Sequence, residues 1–521
     1  MVASPVPSRP SPIQSPVPSP QASPTTAFEL FLLLFVVNLT LQPLVEPDLG
    51  WHLRAGLDLI GQGGTPPDTD PYSHTMPEWR WVDHAWLTDG LLGVIYRTLG
   101  SYGGLGLILL FGALTASAFW IGTATVKAPR AARLLAIVCG LWVALPYLGA
   151  RTQLVSLFGV ATVFWMWKQI QEGRDSVLWA FPPLFLIWGN LHGGFTAGLF
   201  LLGLVTTISC VMRILVDRGL VRPEALGEPV PGWSMIRRLG LVAGAAAAVT
   251  LINPYGWRLH AEIYDSLMDR YMLENLREWQ PVSFQGWAGK AYLLYLAGLV
   301  TLIAGWYRRV EPVWWGLITV FLWLSLVHWR NVTLFLVVSV PLTAELLVTA
   351  GAALIQRMPD TSRAVRMGIF ALTVGAGGSL ALLGADHLAH VWRSGTATES
   401  FFEQTEYPIE AVRWVRAHPD RVGTRLYNDY GLGGFLVWWL PEHKIFIDGR
   451  MPTWRLGDRR IFRDYLQLNQ GDAEGLRVLE KYRIDWAVVT KDTPLAQALA
   501  AKPEWTALYR DAKVLVLRKE L

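Results

Sequence analysis

Long apolar runs separated by short polar breaks recur from Ala27 to about residue 386, and the pattern then stops. Eleven runs have the patterning of membrane crossings: 27–45, 104–126, 134–149, 152–168, 177–191, 194–212, 239–252, 291–307, 312–328, 332–352 and 366–386. A helix perpendicular to the bilayer needs roughly 20 apolar residues, and several runs are shorter than that. The Ala-rich run 239–252 is the weakest. Beyond 386, apolar residues come in short groups among mixed charges. Thr424–Asn428, Lys444–Asp448 and Asp485–Thr490 have strand patterning, helical spacing occupies 459–469 and 473–483, and Trp505–Arg510 with Lys513–Arg518 predicts a closing hairpin. Strands alternating with helices predict a small α/β domain. The expected fold class is a multi-pass α-helical membrane protein (27–386) with a C-terminal soluble α/β domain (387–521). A Pro/Ser-rich tail at 1–26 is too poor in apolar residues to fold.

Loop charge orients the crossings. With a cytoplasmic N-terminus, the inside connections carry Lys127/Arg130/Arg133, Lys168/Arg174, Arg213/Arg218/Arg222/Arg237/Arg238, Arg308/Arg309 and Arg357/Arg363/Arg366. The short outside connections carry only Arg151 and Arg330. Basic residues accumulate on the cytoplasmic side of membrane proteins. Residues 86–99 are apolar enough to be a further span, but counting them would put every basic cluster outside. They are therefore expected to form an interfacial helix. Three segments then lie outside: a first loop at 46–103, a second at 253–290, and the C-terminal domain. This places the protein in the cytoplasmic membrane.

Composition agrees: 52% of residues are hydrophobic and 17% charged, against about a quarter charged in soluble proteins. The 26 tryptophans suit many bilayer interfaces. A net charge of +4 is too small to suggest nucleic acid. The two cysteines, Cys139 and Cys210, lie in apolar runs as buried thiols with no metal spacing. The first apolar run carries Glu29, lacks a small-residue cleavage site, and is expected to remain as an uncleaved span. Nothing in the sequence sets the oligomeric state.

The polar residues with chemical interest gather on the outside. The first loop opens Glu46-Pro-Asp48-Leu-Gly-Trp-His52 and continues through Asp68, Asp70, Asp83, His84 and Asp89. An isolated pair of acids spaced i, i+2 is ordinarily a solvated loop start. The other outer helix ends, however, carry Arg151-Thr-Gln153, Asn190-Leu-His192, Asn253-Pro-Tyr255 and His328-Trp-Arg-Asn331. Any one of these could cap a helix or anchor it at the interface. Together with the acidic loop they fit one outward-facing polar cavity, because ionisable groups at membrane depth usually face a cavity or a partner. In the C-terminal domain, Asn428, Asp429, Asp448 and Arg450 sit just past expected strand ends, where α/β sheets place ligands. Asp448 and Arg450 equally suit a structural ion pair bracing the turn.

An acidic motif in the first outer loop of a protein with this many spans resembles the GT-C glycosyltransferases, the class that includes oligosaccharyltransferase catalytic subunits, protein O-mannosyltransferases and lipid A aminoarabinose transferases. The chain is most similar to a bacterial branch of that class. Its matching pieces are Asp48-Leu-Gly-Trp-His-Leu, Asp70-Pro-Tyr-Ser, Trp81-Val-Asp-His-Ala-Trp-Leu87, Trp188-Gly-Asn-Leu-His-Gly-Gly194, Asn253-Pro-Tyr-Gly256, Asn428-Asp-Tyr-Gly431 and Ile447-Asp-Gly-Arg450. The resemblance covers nearly everything after the tail. It implies a sugar donor carried on a polyprenyl phosphate and transfer at the outer membrane face.

On that reading Asp48 is the catalytic base, and Glu46 either orients the acceptor or holds a divalent metal (Mg or Mn) with Asp48. Mg²⁺ takes one or two carboxylates only where substrate oxygens complete its shell. Arg151 and Arg330 are placed to meet the leaving phosphate. His52, Asp83, His84, Asn190, His192 and Asn253 are expected to bind sugar or acceptor. One base on one face implies inversion at the anomeric carbon. The other readings are a transporter or flippase of lipid-linked or envelope substrates, and a non-catalytic envelope scaffold. No internal repeat supports a transporter, and a bare anchor needs neither so many crossings nor an acidic loop.

Overall fold

The computed structural model describes residues 24–226, 230–357 and 384–520. The tail at 1–23 and most of the expected last span, 366–386, lie outside the described residues. Helices occur at each of the ten earlier expected crossings. They are α1 Pro24–Thr40, α4 Gly103–Thr123, α5 Arg130–Ala144, α6 Gln153–Gln171, α7 Phe181–Leu191, α8 Phe195–Asp217, α9 Trp233–Val249, α12 Trp287–Trp306, α13 Pro312–Val327 and α14 Val332–Arg357. By length and hydropathy, five helical stretches are long and apolar enough to cross a membrane: Trp86–Thr123, Arg130–Tyr147, Phe195–Asp217, Trp287–Arg309 and Trp329–Leu354. Thr26–Thr40 and Pro312–Val327 are shorter apolar helices.

The first loop holds two helices, α2 Leu49–Gly61 and α3 Trp86–Leu99, packed against each other. Their backbones touch at Gly56 and Gly93, where an added Cβ on either would run into the other helix. A continuous helix over 86–123 would be about 57 Å long, far more than the roughly 30 Å apolar thickness of a bilayer. The chain breaks it at Gly100, whose φ of 55° suits only a residue without a Cβ. α3 therefore stands apart from α4. It buries Thr88, Asp89 and Leu92 and leaves Leu87, Leu91 and Val94 exposed on one stripe. The second loop carries α10 Trp257–Met268 and α11 Arg270–Asn275.

The C-terminal domain is built on a four-stranded mixed sheet. β1 Leu426–Asn428 runs parallel to β4 Trp486–Thr490, which pairs antiparallel with β6 Val514–Lys519, and β5 Trp505–Arg510 closes the edge against β6. β2 Arg455–Leu456 and β3 Arg459–Arg460 form a separate short ribbon. The helices Ile461–Leu468 and Ala473–Lys481 fall where helical spacing predicts them.

The segment Lys444–Asp448 has strand patterning but joins no sheet. Its backbone is claimed elsewhere. Ile445 forms one parallel bridge with Ser73 of the first loop, donating to the Tyr72 carbonyl at 3.0 Å and accepting from the His74 amide at 3.1 Å. The buried Asn428 side chain takes the Phe446 amide and donates to the Ile447 carbonyl, each at 2.8 Å. One carboxamide thus stands in for a neighbouring strand, and the first loop is sewn into the C-terminal domain.

Candidate active site at the Glu46–Asp48 corner

Pro47 separates Glu46 from Asp48 on the short run between α1 and α2. Proline fixes φ and holds both carboxylates on a constrained turn. Asp48 immediately precedes α2, and Trp51, three residues on, donates its indole N–H to Asp48 Oδ1 at 3.1 Å. The C-terminal domain closes the other side. Gly449 sits so near that a Cβ there would collide with the Asp48 carboxylate. Burial raises the Asp48 carboxyl above its ordinary pKa; His52 works against that rise, while the Asp448 and Glu278 charges add to it.

Glu46 forms an ion pair with Nε of Arg151, from the junction of α5 and α6. Burial lifts its pKa to about 7, despite the Arg151 charge, with Asp48 and Glu278 adding to the rise. Glu278 lies in the second loop and pairs with Arg330 at 3.1 Å. The Arg330 guanidinium also lies 4.3 Å from the centre of the Trp279 ring. The second loop is in turn bonded to the α13–α14 junction, Trp329 donating to the Gln280 carbonyl at 2.9 Å. Glu46, Asp48 and Glu278 therefore share one corner with Arg151 and Arg330, and the α5–α6 and α13–α14 junctions meet there.

His52 lies one helical turn into α2, stacked on Trp51 at 3.5 Å and bridging Asp89 at 2.7 Å and Thr152 at 3.3 Å. Burial lowers its pKa to about 4, so the ring is neutral at ordinary pH. Asp83 is buried beside Asp89 and accepts the Ala85 amide at 3.0 Å, just ahead of α3. Burial and the neighbouring Asp89 hold its carboxyl well above the usual range.

His84 packs edge-on against His192, ring centroids 5.4 Å apart, and burial lowers its pKa to about 4. His192 Nδ1 accepts from the Gly194 amide at 3.0 Å and pairs with the Ser156 hydroxyl at 2.7 Å. An Nδ1 that receives an amide proton is a lone pair, which leaves the ring proton on Nε2. Both histidines lie near enough to His52 and Arg330 to feel their charges, and neither is hydrogen-bonded to Asp48.

Two expected binding residues are committed to backbone. Asn190 accepts from the Trp86 indole at 3.2 Å and donates to the carbonyls of Leu186 and Ile252. Asn253 takes the Tyr255 amide and donates to the Thr250 and Gly256 carbonyls. Each amide braces a helix junction, and neither is hydrogen-bonded into the Asp48 corner. In the C-terminal domain, Asp429 accepts from the Thr490 amide at 2.7 Å, a bond within the sheet edge.

Asp448 and Arg450 do form an ion pair, and Arg450 also reaches Asp70 of the first loop, both at 2.8 Å. All three side chains are buried. Trp51, Tyr72, Trp81 and Trp454 surround the guanidinium at 4.9–5.8 Å. This cluster clamps the loop to the domain and so fixes where Gly449 meets Asp48.

Among the described residues, no three His, Cys, Asp or Glu side chains are grouped to hold a metal ion. Glu46, one of the two expected ligands, is already neutralised by Arg151. The two acids do not fit a resident divalent cation by themselves.

No protein-family model and no curated protein matches the sequence. Solved structures do. The crystal structure of the Archaeoglobus fulgidus oligosaccharyltransferase tethered to an acceptor peptide is similar with a TM-score of 0.50 and 11% identity, over 89% of this chain and 69% of that one. The archaeal oligosaccharyltransferase AglB of the same organism, in complex with an inhibitory peptide and a dolichol-phosphate, gives 0.52 and 12%, over 90% and 69%. At such identity the likeness is one of fold, and it spans both the helical part and the C-terminal domain. The chain thus has a GT-C-like fold, shared with these archaeal oligosaccharyltransferase structures.

Proposed function

We propose that the protein transfers a sugar from a polyprenyl-phosphate-linked donor to an acceptor at the outer face of the cytoplasmic membrane. The observation that carries this reading is the corner itself. A half-buried carboxylate, Asp48, stands beside Glu46 and Glu278, each paired with an arginine at a helix end, under a roof formed by the C-terminal domain. The archaeal structure with bound dolichol-phosphate supports a lipid phosphate as the ligand of such a fold.

In the proposed reaction Asp48 takes the proton of the acceptor nucleophile as that atom bonds to the anomeric carbon. The bond from that carbon to the phosphate oxygen breaks, and its electron pair leaves on the phosphate. Arg151 and Arg330 are each engaged by a carboxylate through one nitrogen, and their remaining N–H donors stabilise the departing charge. A single displacement inverts the anomeric carbon. Glu46 and Glu278 hold the two arginines in place. A divalent cation would enter only with substrate oxygens supplying most of its shell.

The corresponding topology has eleven crossings, a cytoplasmic N-terminus, an interfacial α3 and an extracytoplasmic domain from 387 onward. Glycan and glycolipid profiles of cells with and without the protein test the reading. A sugar lost from an acceptor in its absence, restored by the wild type and not by Asp48→Asn, is expected. Identical profiles in all strains contradict it.

A further inference from the structure

A hollow of about 280 Å³ opens between the second loop and the C-terminal domain. Four exposed arginines line it: Arg270 at the start of α11, Arg455 in β2, Arg460 at the end of β3, and Arg463 in the following helix. One carboxylate lies among them. Asp269 pairs with Arg455 at 2.6 Å through one oxygen and accepts the Met272 amide at 2.9 Å through the other. No carboxylate pairs with Arg270, Arg460 or Arg463 among the described residues. Arg463 lies instead over the half-buried Tyr271 ring, 4.5 Å from its centre, which holds the guanidinium at the rim.

Three unpaired guanidinium groups around one concavity repel one another, and a bound anion relieves that repulsion. Guanidinium forks match carboxylate and phosphate oxygens two at a time. The wall is not wholly polar. Tyr271 and Pro452, with the buried Phe462 behind them, add apolar surface between the arginines, which suits the ring of a sugar better than a bare ion. The volume is near the lower end of ordinary small-ligand pockets, roughly 300 Å³, enough for one saccharide unit.

The hollow also lies close to the reaction corner. Phe462 packs against Tyr430 with ring centroids 5.7 Å apart, and Tyr430 lies near enough to Asp48 to feel its charge. The wall segment from Pro452 to Trp454 continues the chain from Gly449, which abuts Asp48.

We propose that this hollow binds the anionic part of a carbohydrate acceptor, a saccharide bearing carboxylate or phosphate next to the unit that receives the new sugar. Its role as an acceptor site rests on the transferase reading above; binding itself does not. The test uses the purified full-length protein in detergent and three probes: trigalacturonate, neutral maltotriose and inorganic phosphate. Trigalacturonate is expected to bind, with affinity falling steeply as salt rises, and maltotriose to bind at least about tenfold more weakly. Arg460→Gln and Arg463→Glu should each weaken trigalacturonate by about tenfold or more without lowering thermal stability. Arg460→Lys, which keeps the charge, should lose less. Phosphate binding as tightly as trigalacturonate overturns the carbohydrate assignment. No anion binding, or unchanged affinity in both arginine variants, overturns the site. Asp48→Asn should bind trigalacturonate as the wild type does. If that variant still transfers sugar, the transferase reading fails while the binding result stands.

Discussion

Arg450 and Asp70 meet at 2.8 Å across 380 positions of sequence, both side chains out of water. Asp70 belongs to the first loop and Arg450 to the C-terminal domain, so this pair, completed by Asp448, decides how the domain sits over Asp48.

Removing the cation alone leaves two carboxylates buried without compensation. Arg450→Ala is expected to cost about 3–5 kcal/mol of stability. Arg450→Ala combined with Asp70→Asn should recover part of that loss. Thermal unfolding of the purified protein measures both.

Asn190 and Asn253 are predicted to matter for stability and not for the chemical step. Each braces a helix junction through three hydrogen bonds, and losing buried backbone partners costs about 1–3 kcal/mol apiece. Asn190→Ala and Asn253→Ala should lower the unfolding temperature while the folded fraction keeps wild-type kcat. A large fall in kcat at unchanged stability would put these amides on substrate instead.

Glu46 predicts a pH dependence. Its pKa is raised from 4.5 to about 7 in the folded protein. Between those values the native state holds a proton that the unfolded state has released, so stability is greatest below about pH 4.5 and is lost as pH rises through about 7. Glu46→Gln should flatten that part of the stability–pH curve. Protonation also releases Arg151 from its ion pair, so the wild type should bind a phosphate probe more tightly at pH 6 than at pH 8. Arg151→Gln should abolish the difference.

Glu278 is expected to act through Arg330 and the shared corner. Glu278→Gln should reduce transfer by about tenfold or more, because it frees Arg330 from its anchor and removes one of three neighbouring carboxylates. Glu278→Asp, which keeps the charge on a shorter arm, should restore part of the rate. Initial rates at fixed donor concentration distinguish these outcomes.

Much of this was legible in the sequence because it depends on hydropathy, which is local. The ten described helices at expected crossings and the sheet formed by 424–428, 485–490 and the final hairpin are of that kind. The polar helix ends were visible too, but not which way each side chain turns. Arg151 reaches Glu46, whereas Asn190 and Asn253 turn to backbone carbonyls, and no local pattern separates the two. Lys444–Asp448 carries a short β-favouring apolar run like that of a buried strand, yet Tyr72, His74 and the Asn428 side chain take up its hydrogen bonds from afar. Glu278 sits in an undistinguished Arg-Glu-Trp stretch. A pointer to it was Arg330, a lone outer arginine needing a counter-charge from an outer loop.

Asp48 is the centre of the account, and one rate measurement addresses it most directly. Membranes containing wild-type or Asp48→Asn protein are given a polyprenyl-phosphate-linked sugar and the cell's own acceptor, and transfer is followed alongside thermal stability. Loss of the base predicts a rate at least about 100-fold lower, with insertion and unfolding temperature unchanged. Transfer at the wild-type rate by a folded Asp48→Asn protein would contradict the assignment of Asp48 as the catalytic base.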